Sequence, residues 1–261
     1  MFIHTLVLSV LQSITEFLPV SSSGHLILLP FILGWQDQGV ALDIALHIGT
    51  LLAVCVYFAR DLWTMFIGLF TGGNSRKTAL LLIVATLPIL VLGLFAGNCI
   101  EQVFRSPYIV AVMLIVFGVI LWLADRYNKA DKNISQMTYK DALLIGVAQC
   151  LALIPGTSRS GITMTSARCC RLNRSDAAKF SMLLSIPAIG AAGGWLLLKL
   201  VLNHQMRVLN EVFLQGVLFS FAGGLIVIWF LMGFVKKHSF FAFMIYRVLL
   251  GAILLSFLIL G

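Results

Sequence analysis

Ten acidic residues are spread over this 261-residue chain, and only Glu16 and Asp43, the latter near a segment end, are placed within the membrane. Polar groups there are costly to bury, so each is a candidate for function. Once the charges between apolar runs are set aside, the candidates are Gln12, Glu16, Ser21, Ser22, Ser23, His25, Asp43, His47, Gln149, Ser158, Arg159, Ser160, Thr163 and Arg247. Gln12 and Glu16 are four apart and share one face of a helix. Arg159 sits amid Ser, Thr and Gly where a helix is expected to begin. That pattern suits an anion, because the guanidinium offers forked donors and the helix start offers free N–H groups. A phosphate is the natural guest. Beside it, Glu16 could act as a base or hold a divalent cation, Ser22 could attack phosphorus, and His25 could relay protons. The plain alternative for Arg159 is a buried ion pair with Glu16 that joins two parts of the chain.

Other polar residues carry less. Asp43 and His47 are four apart, which suits a supporting role better than a catalytic one. His4, His204 and His238 lie at edges or in loops. Tyr246 and Arg247 sit about one turn inside a segment edge, where snorkelling to the interface explains them. The aromatic-rich stretch 62–70 reads as an interfacial helix. The five cysteines, Cys55, Cys99, Cys150, Cys169 and Cys170, lack zinc-type spacing and read as small residues in or beside helices.

The elements that must position these groups are membrane helices. The chain is 60% hydrophobic and 11% charged, with a mean hydropathy of +1.02; soluble domains carry about 25% charged residues. Six stretches, about 41–59, 78–97, 109–125, 178–202, 212–234 and 242–260, are long enough to cross. Two more segments, 1–34 and 141–170, are broken by LPVSSSGH at 18–25 and IPGTSRSG at 154–161. Each half is too short to cross, so each segment reads as a re-entrant hairpin. Irregular backbone at that depth is tolerated only inside protein or beside a water-filled cavity, so the breaks themselves predict a site. Residues 1–34 lack a basic flank and contain Gln12, Glu16 and His25, so they read as mature protein, not a cleaved signal.

The two broken segments also repeat. Gln12 precedes Gly24, and Gln149 precedes Gly161, by the same twelve residues, an offset of 137. Spans at 41, 78 and 109 recur at 178, 212 and 242. A hairpin plus three spans is an odd unit, so the second copy is expected to be inverted, with the site where broken helices meet near the midplane. The expected architecture is one all-α integral membrane domain, 1–261. It has about six transmembrane helices and two re-entrant helical hairpins, with repeat one at about 1–125 and repeat two at about 141–260.

The net charge of +8 does not point to nucleic acid. On this topology thirteen Lys and Arg residues fall on one side, and only Arg105, Lys199 and Arg207 on the other. The positive-inside rule makes the first side cytoplasmic and puts both termini outside.

The motifs resemble those of the undecaprenyl-diphosphatase family of the bacitracin-resistance type. QSITEFLPVSSSGH at 12–25 is similar to its first signature and PGTSRSGITMT at 155–165 to its second, and the likeness runs end to end. The resemblance implies a phosphatase of the bacterial inner membrane that converts undecaprenyl diphosphate to the monophosphate and recycles the carrier for cell-wall synthesis. It also implies divalent-cation dependence (Mg2+ or Ca2+) and a site open to the periplasm. Glu16 would be the essential carboxylate and metal ligand, Ser22 the nucleophile and His25 its neighbour. Arg159 with Ser158, Ser160 and Thr163 would hold the diphosphate, with Gln12, Ser21 and Ser23 lining the site. Position 12 is Gln where many members have Glu, which leaves Glu16 as the lone carboxylate and should lower metal affinity. Another lipid phosphatase family shares Ser-Gly-His and Ser-Arg pieces. It needs His and Asp where this chain has Thr165 and Cys169, so that reading fails. The rival function is a transporter or flippase for the lipid phosphate, which the same architecture would suit. The expected partners are the polyprenyl diphosphate and membrane lipids. The face at 118–124 suits packing within the chain or in a homo-oligomer.

Overall fold

The structure, a computed structural model, describes residues 2–35, 40–104, 106–202 and 209–260. Arg105, His204 and Arg207 lie outside these residues. Eleven α-helices make up the described fold: α1 Phe2–Phe17, α2 Ser22–Leu33, α3 Val40–Tyr57, α4 Ala59–Thr71, α5 Gly73–Phe104, α6 Pro107–Tyr127, α7 Tyr139–Gln149, α8 Arg159–Cys169, α9 Arg174–Leu202, α10 Glu211–Lys237 and α11 Phe241–Leu260. Among the described residues the only β-pairing is an isolated bridge between Lys132 and Leu172. Runs of Leu, Ile, Val, Phe and Ala with no polar face make helices whose backbone is satisfied internally, as lipid demands.

Five helices, α5, α6, α9, α10 and α11, are each long and apolar enough to cross alone. The sixth expected span is α3. It qualifies only together with α4, which departs from it by 73° at Phe58. The stretch expected to lie flat at 62–70 is thus a separate helix, with Trp63 and Phe70 exposed. Large apolar side chains face outward on the crossing helices: Trp229 is 69% exposed and Ile253 66%. In water such a surface would demand a partner; in a bilayer, lipid covers it.

Close helix contacts rest on glycine. A Cβ on Gly49 of α3 would lie 2.4 Å from the Val217 carbonyl of α10. One on Gly146 of α7 would lie 2.4 Å from the Ala85 carbonyl of α5. Small residues permit this approach where lipid supplies no hydrophobic drive between helices.

The two segments read as hairpins are helix pairs, α1/α2 and α7/α8, with a short 3-10 turn at Cys150–Leu153 before the second break. α2 begins at Ser22 and α8 at Arg159 (159 − 22 = 137), α10 follows α5 by 138 (211 − 73), and α11 follows α6 by 134 (241 − 107). The residues before α2 and α8 share an uncommon backbone, with φ of 78° at Ser21 and 74° at Ser158. Each caps its helix: Ser21 Oγ accepts from Gly24 N at 3.4 Å and Ser158 Oγ from Gly161 N at 3.1 Å. Left-handed backbone on a non-glycine residue is strain that persists only when its surroundings hold it, and it gathers at functional sites.

One loop-side charge differs from expectation. Arg168 is not a solvated loop charge; it lies in α8 at 2% exposure. Its Nε donates to Asp125 Oδ1 at 3.0 Å, and Arg174 Nε reaches the same oxygen at 2.8 Å. Phe240 N bonds the other oxygen at 3.1 Å. A buried carboxylate is stable only when its lone pairs are filled in this way, and here it ties the end of α6 to α8, α9 and the start of α11. The face at 118–124 packs within the chain: Gly118, Leu121 and Ala124 are buried, and Gly118 abuts Arg247.

Candidate active site

The two breaks meet at Glu16. This residue, 6% exposed near the end of α1, accepts from Arg159 Nη2 at 2.8 Å through Oε1. Its Oε2 accepts from Ser22 Oγ at 2.7 Å and from Gln12 Nε2 at 3.2 Å. The four-residue spacing of Gln12 and Glu16 on α1 gives the last contact. The others follow from the repeat, since Ser22 and Arg159 are the first residues of the corresponding helices α2 and α8. Both helices thus present their positive ends beside one carboxylate. At the position matching Glu16 the second repeat has Leu153 (16 + 137). Glu16 comes from the first broken segment and Arg159 from the second, so the two segments form one composite site.

Around this pair two buried polar atoms, Gln12 Oε1 and Arg159 Nε, have no hydrogen-bond partner among the described residues. One is an acceptor and the other a donor. Such groups are rare in folded proteins and point to a ligand or water. Arg159 Nη1 is held by the Ser181 carbonyl at 3.0 Å, which fixes the plane of the guanidinium.

The remaining candidates are engaged with protein. Ser160 Oγ donates to the Leu18 carbonyl at 3.1 Å and lies 3.2 Å from Ser158 Oγ, so it stitches the second break to the first. Thr163 Oγ1 bonds the Arg159 carbonyl at 2.8 Å and Ser181 Oγ at 2.6 Å. Ser21 and Ser23 hydroxyls lie 3.4 Å apart, and Ser23 is exposed. Gln149, the counterpart of Gln12, reaches the Ala85 carbonyl at 3.5 Å.

His25, the expected proton relay, has both ring nitrogens engaged with protein. Its Nδ1 lies 2.6 Å from the Ser21 carbonyl, which can only accept, so Nδ1 carries the proton. Its Nε2 therefore accepts from the Tyr246 hydroxyl at 2.6 Å. Both nitrogens are spoken for, and they hold the first break in shape. Tyr246→Phe should cost on the order of 1 kcal/mol, the worth of one hydrogen bond, seen as a lower denaturant midpoint in detergent. An unchanged midpoint would mean that the pair does not brace the break. The imidazole that faces Glu16 is His47: its Nε2 is 3.8 Å from Glu16 Oε2, and its side chain is 35% exposed.

Arg247 corrects the reading from sequence. It does not snorkel; it is wholly buried. Its guanidinium donates to five carbonyls: Leu114 at 3.0 Å, Pro19 at 3.1 Å, Met113 at 3.2 Å, and Gly156 and Thr157 at 2.9 Å each. Pro19 belongs to the first break and Gly156 and Thr157 to the second, so one side chain of α11 clamps both. Gly161 and Gly118 make room for it, since a Cβ on Gly161 would lie 2.9 Å from Nη1. A lone charge on an otherwise uncharged 20-residue helix was the available signal.

Among the described residues no group of three or more His, Cys, Asp and Glu side chains is placed to hold a metal. The donors still fit a hard divalent cation, which takes one or two carboxylates and completes its shell with substrate phosphate and water. Glu16 supplies the carboxylate, and the unpaired Gln12 Oε1 is a second oxygen on the same face.

A family profile described as Bacitracin resistance protein BacA matches residues 5–253. The chain is 47% identical over 255 residues to a protein of Saccharophagus degradans named undecaprenyl-diphosphatase, covering 96% of each. It is 45% identical over 249 residues to one from Desulforudis audaxviator (94% of each) and 47% over 263 residues to one from Hahella chejuensis (98% of each), both of that name.

Proposed function

The chain belongs to the bacitracin resistance protein BacA family, and from that premise we propose that it is a membrane phosphatase that hydrolyses undecaprenyl diphosphate to undecaprenyl phosphate and inorganic phosphate. The observation that carries the reading is Glu16, the carboxylate that holds a guanidinium at 2.8 Å on one oxygen and a hydroxyl at 2.7 Å on the other.

Each group has a part. The diphosphate takes Arg159, whose Nη2 turns from Glu16 to a phosphate oxygen and whose unpaired Nε finds its acceptor. The first-turn N–H groups of α8 add to the same charge. Glu16, released from Arg159, is then a stronger base beside Ser22 Oγ. It accepts the proton as Ser22 or a water attacks the terminal phosphorus, and the P–O bond to the lipid phosphate breaks. Attack by water gives inorganic phosphate at once. Attack by Ser22 gives a phosphoserine, which water then cleaves. Alternatively, Glu16 and Gln12 Oε1 would hold a divalent cation (Mg2+ or Ca2+) in place of Glu16 acting as base, and that ion would neutralise phosphate charge as it develops. His25 and Tyr246 keep the Ser21–Ser22 turn in place.

The charge bias read from the sequence supports a site facing the periplasm with both termini outside. In that setting the reaction recycles the carrier lipid for cell-wall synthesis and confers bacitracin resistance.

The test is inorganic phosphate release from a long-chain polyprenyl diphosphate by purified protein in detergent, with Mg2+, Ca2+ or chelator, beside Ser22→Ala. Cation-dependent release is expected. Loss of release in Ser22→Ala with lipid binding intact places the hydroxyl at the reacting phosphorus. Binding without release by the wild type would favour transport of the lipid phosphate instead, which needs Arg159 but no hydroxyl held on a carboxylate.

A further inference from the structure

We propose that His47 is a ligand of the divalent cation, so that this chain's metal site is a mixed nitrogen–oxygen one formed by His47 Nε2, Glu16 Oε2 and Gln12 Oε1. The inference rests on the diphosphatase reading of the site and adds a residue to it.

Three observations converge. First, His47 Nδ1 lies 2.8 Å from the Asp43 carbonyl. A carbonyl only accepts, so Nδ1 carries a ring proton, and in the neutral tautomer that this contact selects Nε2 presents a lone pair. Metal-bound histidines almost always show this arrangement, in which the far ring nitrogen donates to a carbonyl or carboxylate and fixes the tautomer. Second, that lone pair faces Glu16 Oε2 at 3.8 Å. This is too long for a hydrogen bond. Two ligands each about 2.1 Å from one ion lie roughly 3.0 to 4.2 Å apart, and 3.8 Å falls within that span. Third, Gln12 lies against the same carboxylate, its Nε2 donating to Glu16 Oε2 at 3.2 Å, while its Oε1 is buried with no hydrogen-bond partner among the described residues; an amide oxygen is a ligand that hard cations accept.

The nitrogen changes the choice of ion. Compared with an all-oxygen set, imidazole shifts preference from Ca2+ and Mg2+ towards transition ions such as Zn2+. It also offsets the lack of a second carboxylate at position 12. The neighbouring charge adds a condition. Arg159 lies 2.8 Å from Glu16 Oε1, so a dication at Oε2 would meet a guanidinium across one carboxylate. A diphosphate that draws Arg159 away removes this repulsion. Cation and diphosphate should therefore bind with positive, reciprocal coupling.

Mn2+ serves as the probe, titrated by electron paramagnetic resonance against purified full-length protein. The titration is run with and without a methylene-bridged, non-hydrolysable polyprenyl diphosphate analogue. The wild type should bind Mn2+ at least tenfold more tightly with the analogue, and electron spin echo modulation should report a coordinated nitrogen. In His47→Gln the nitrogen coupling should vanish and the affinity fall by about tenfold or more, with an unchanged elution profile and melting midpoint. Mn2+ bound without nitrogen coupling, equal affinity in wild type and His47→Gln, or no Mn2+ binding with the analogue present would each overturn the assignment. Phosphate release by the wild type is measured in parallel. Normal release without nitrogen coupling would sink only the His47 assignment, whereas nitrogen coupling without release would sink the phosphatase reading.

Discussion

Arg159→Ala should abolish phosphate release, with a loss of about 10³-fold or more, as expected when an arginine that steadies a transferring phosphoryl group is removed. Arg159→Lys should recover little, because a single ammonium cannot span two oxygens as a fork does. The same guanidinium is also half of a buried ion pair with Glu16, and removing one partner of such a pair is destabilising in its own right, by about 3–5 kcal/mol. A fall in activity alone would not separate the two roles. The double variant Glu16→Gln/Arg159→Gln does, because it leaves no unpaired charge and keeps amides that can still bond each other. It should melt near the wild-type midpoint and release no phosphate. Activity restored together with stability would mean that the pair merely joins the two hairpins and that the chemistry lies elsewhere.

This outcome was legible in the sequence to an unusual degree, for a physical reason. Within a bilayer charge is so costly that Glu16 and Arg159 stand out on sequence alone, whereas Asp125 and Arg168, near segment edges, do not although both are buried. The breaks were equally plain, because Pro19, Pro155 and their serines interrupt apolar runs that would otherwise continue as helix. The 137-residue offset that pairs Gln12 with Gln149 also pairs Ser21 with Ser158 in φ. What stayed hidden was the direction in which side chains point across helices. Spacing places Asp43 and His47 on one face of α3 but does not say that this face looks at Glu16. His25 follows the break in sequence, and its ring is claimed by Tyr246, 221 residues away. The bend of 73° between α3 and α4 left no signal beyond a cluster of aromatic residues.

Arg247 is the costliest of these omissions, and replacing it should have the second largest effect. Arg247→Met keeps the length and apolar stem but removes every donor. The carbonyls of Pro19, Gly156 and Thr157 lie in the breaks, outside regular helix, and would be left without Arg247 in a dry interior, at about 1–3 kcal/mol each. The variant should therefore lose several kcal/mol and fold poorly. Arg247→Lys is the informative change. It keeps the charge and fits the space that Gly118 and Gly161 leave, but its three donors cannot meet five carbonyls in one plane. It should fold with a lowered midpoint and release phosphate at least tenfold more slowly, because the two breaks that carry Ser22 and Arg159 would no longer be held in register, and misplacement by about 1 Å can cost 10²-fold. Its KM for the lipid should change less than its kcat, since the Arg159 anion site remains while the approach of Ser22 and Glu16 loosens. If Arg247→Lys lowers the midpoint yet leaves kcat intact, Arg247 clamps the fold without setting the geometry of the site, and alignment of the breaks must come from the Ser160–Leu18 and Glu16–Arg159 contacts alone.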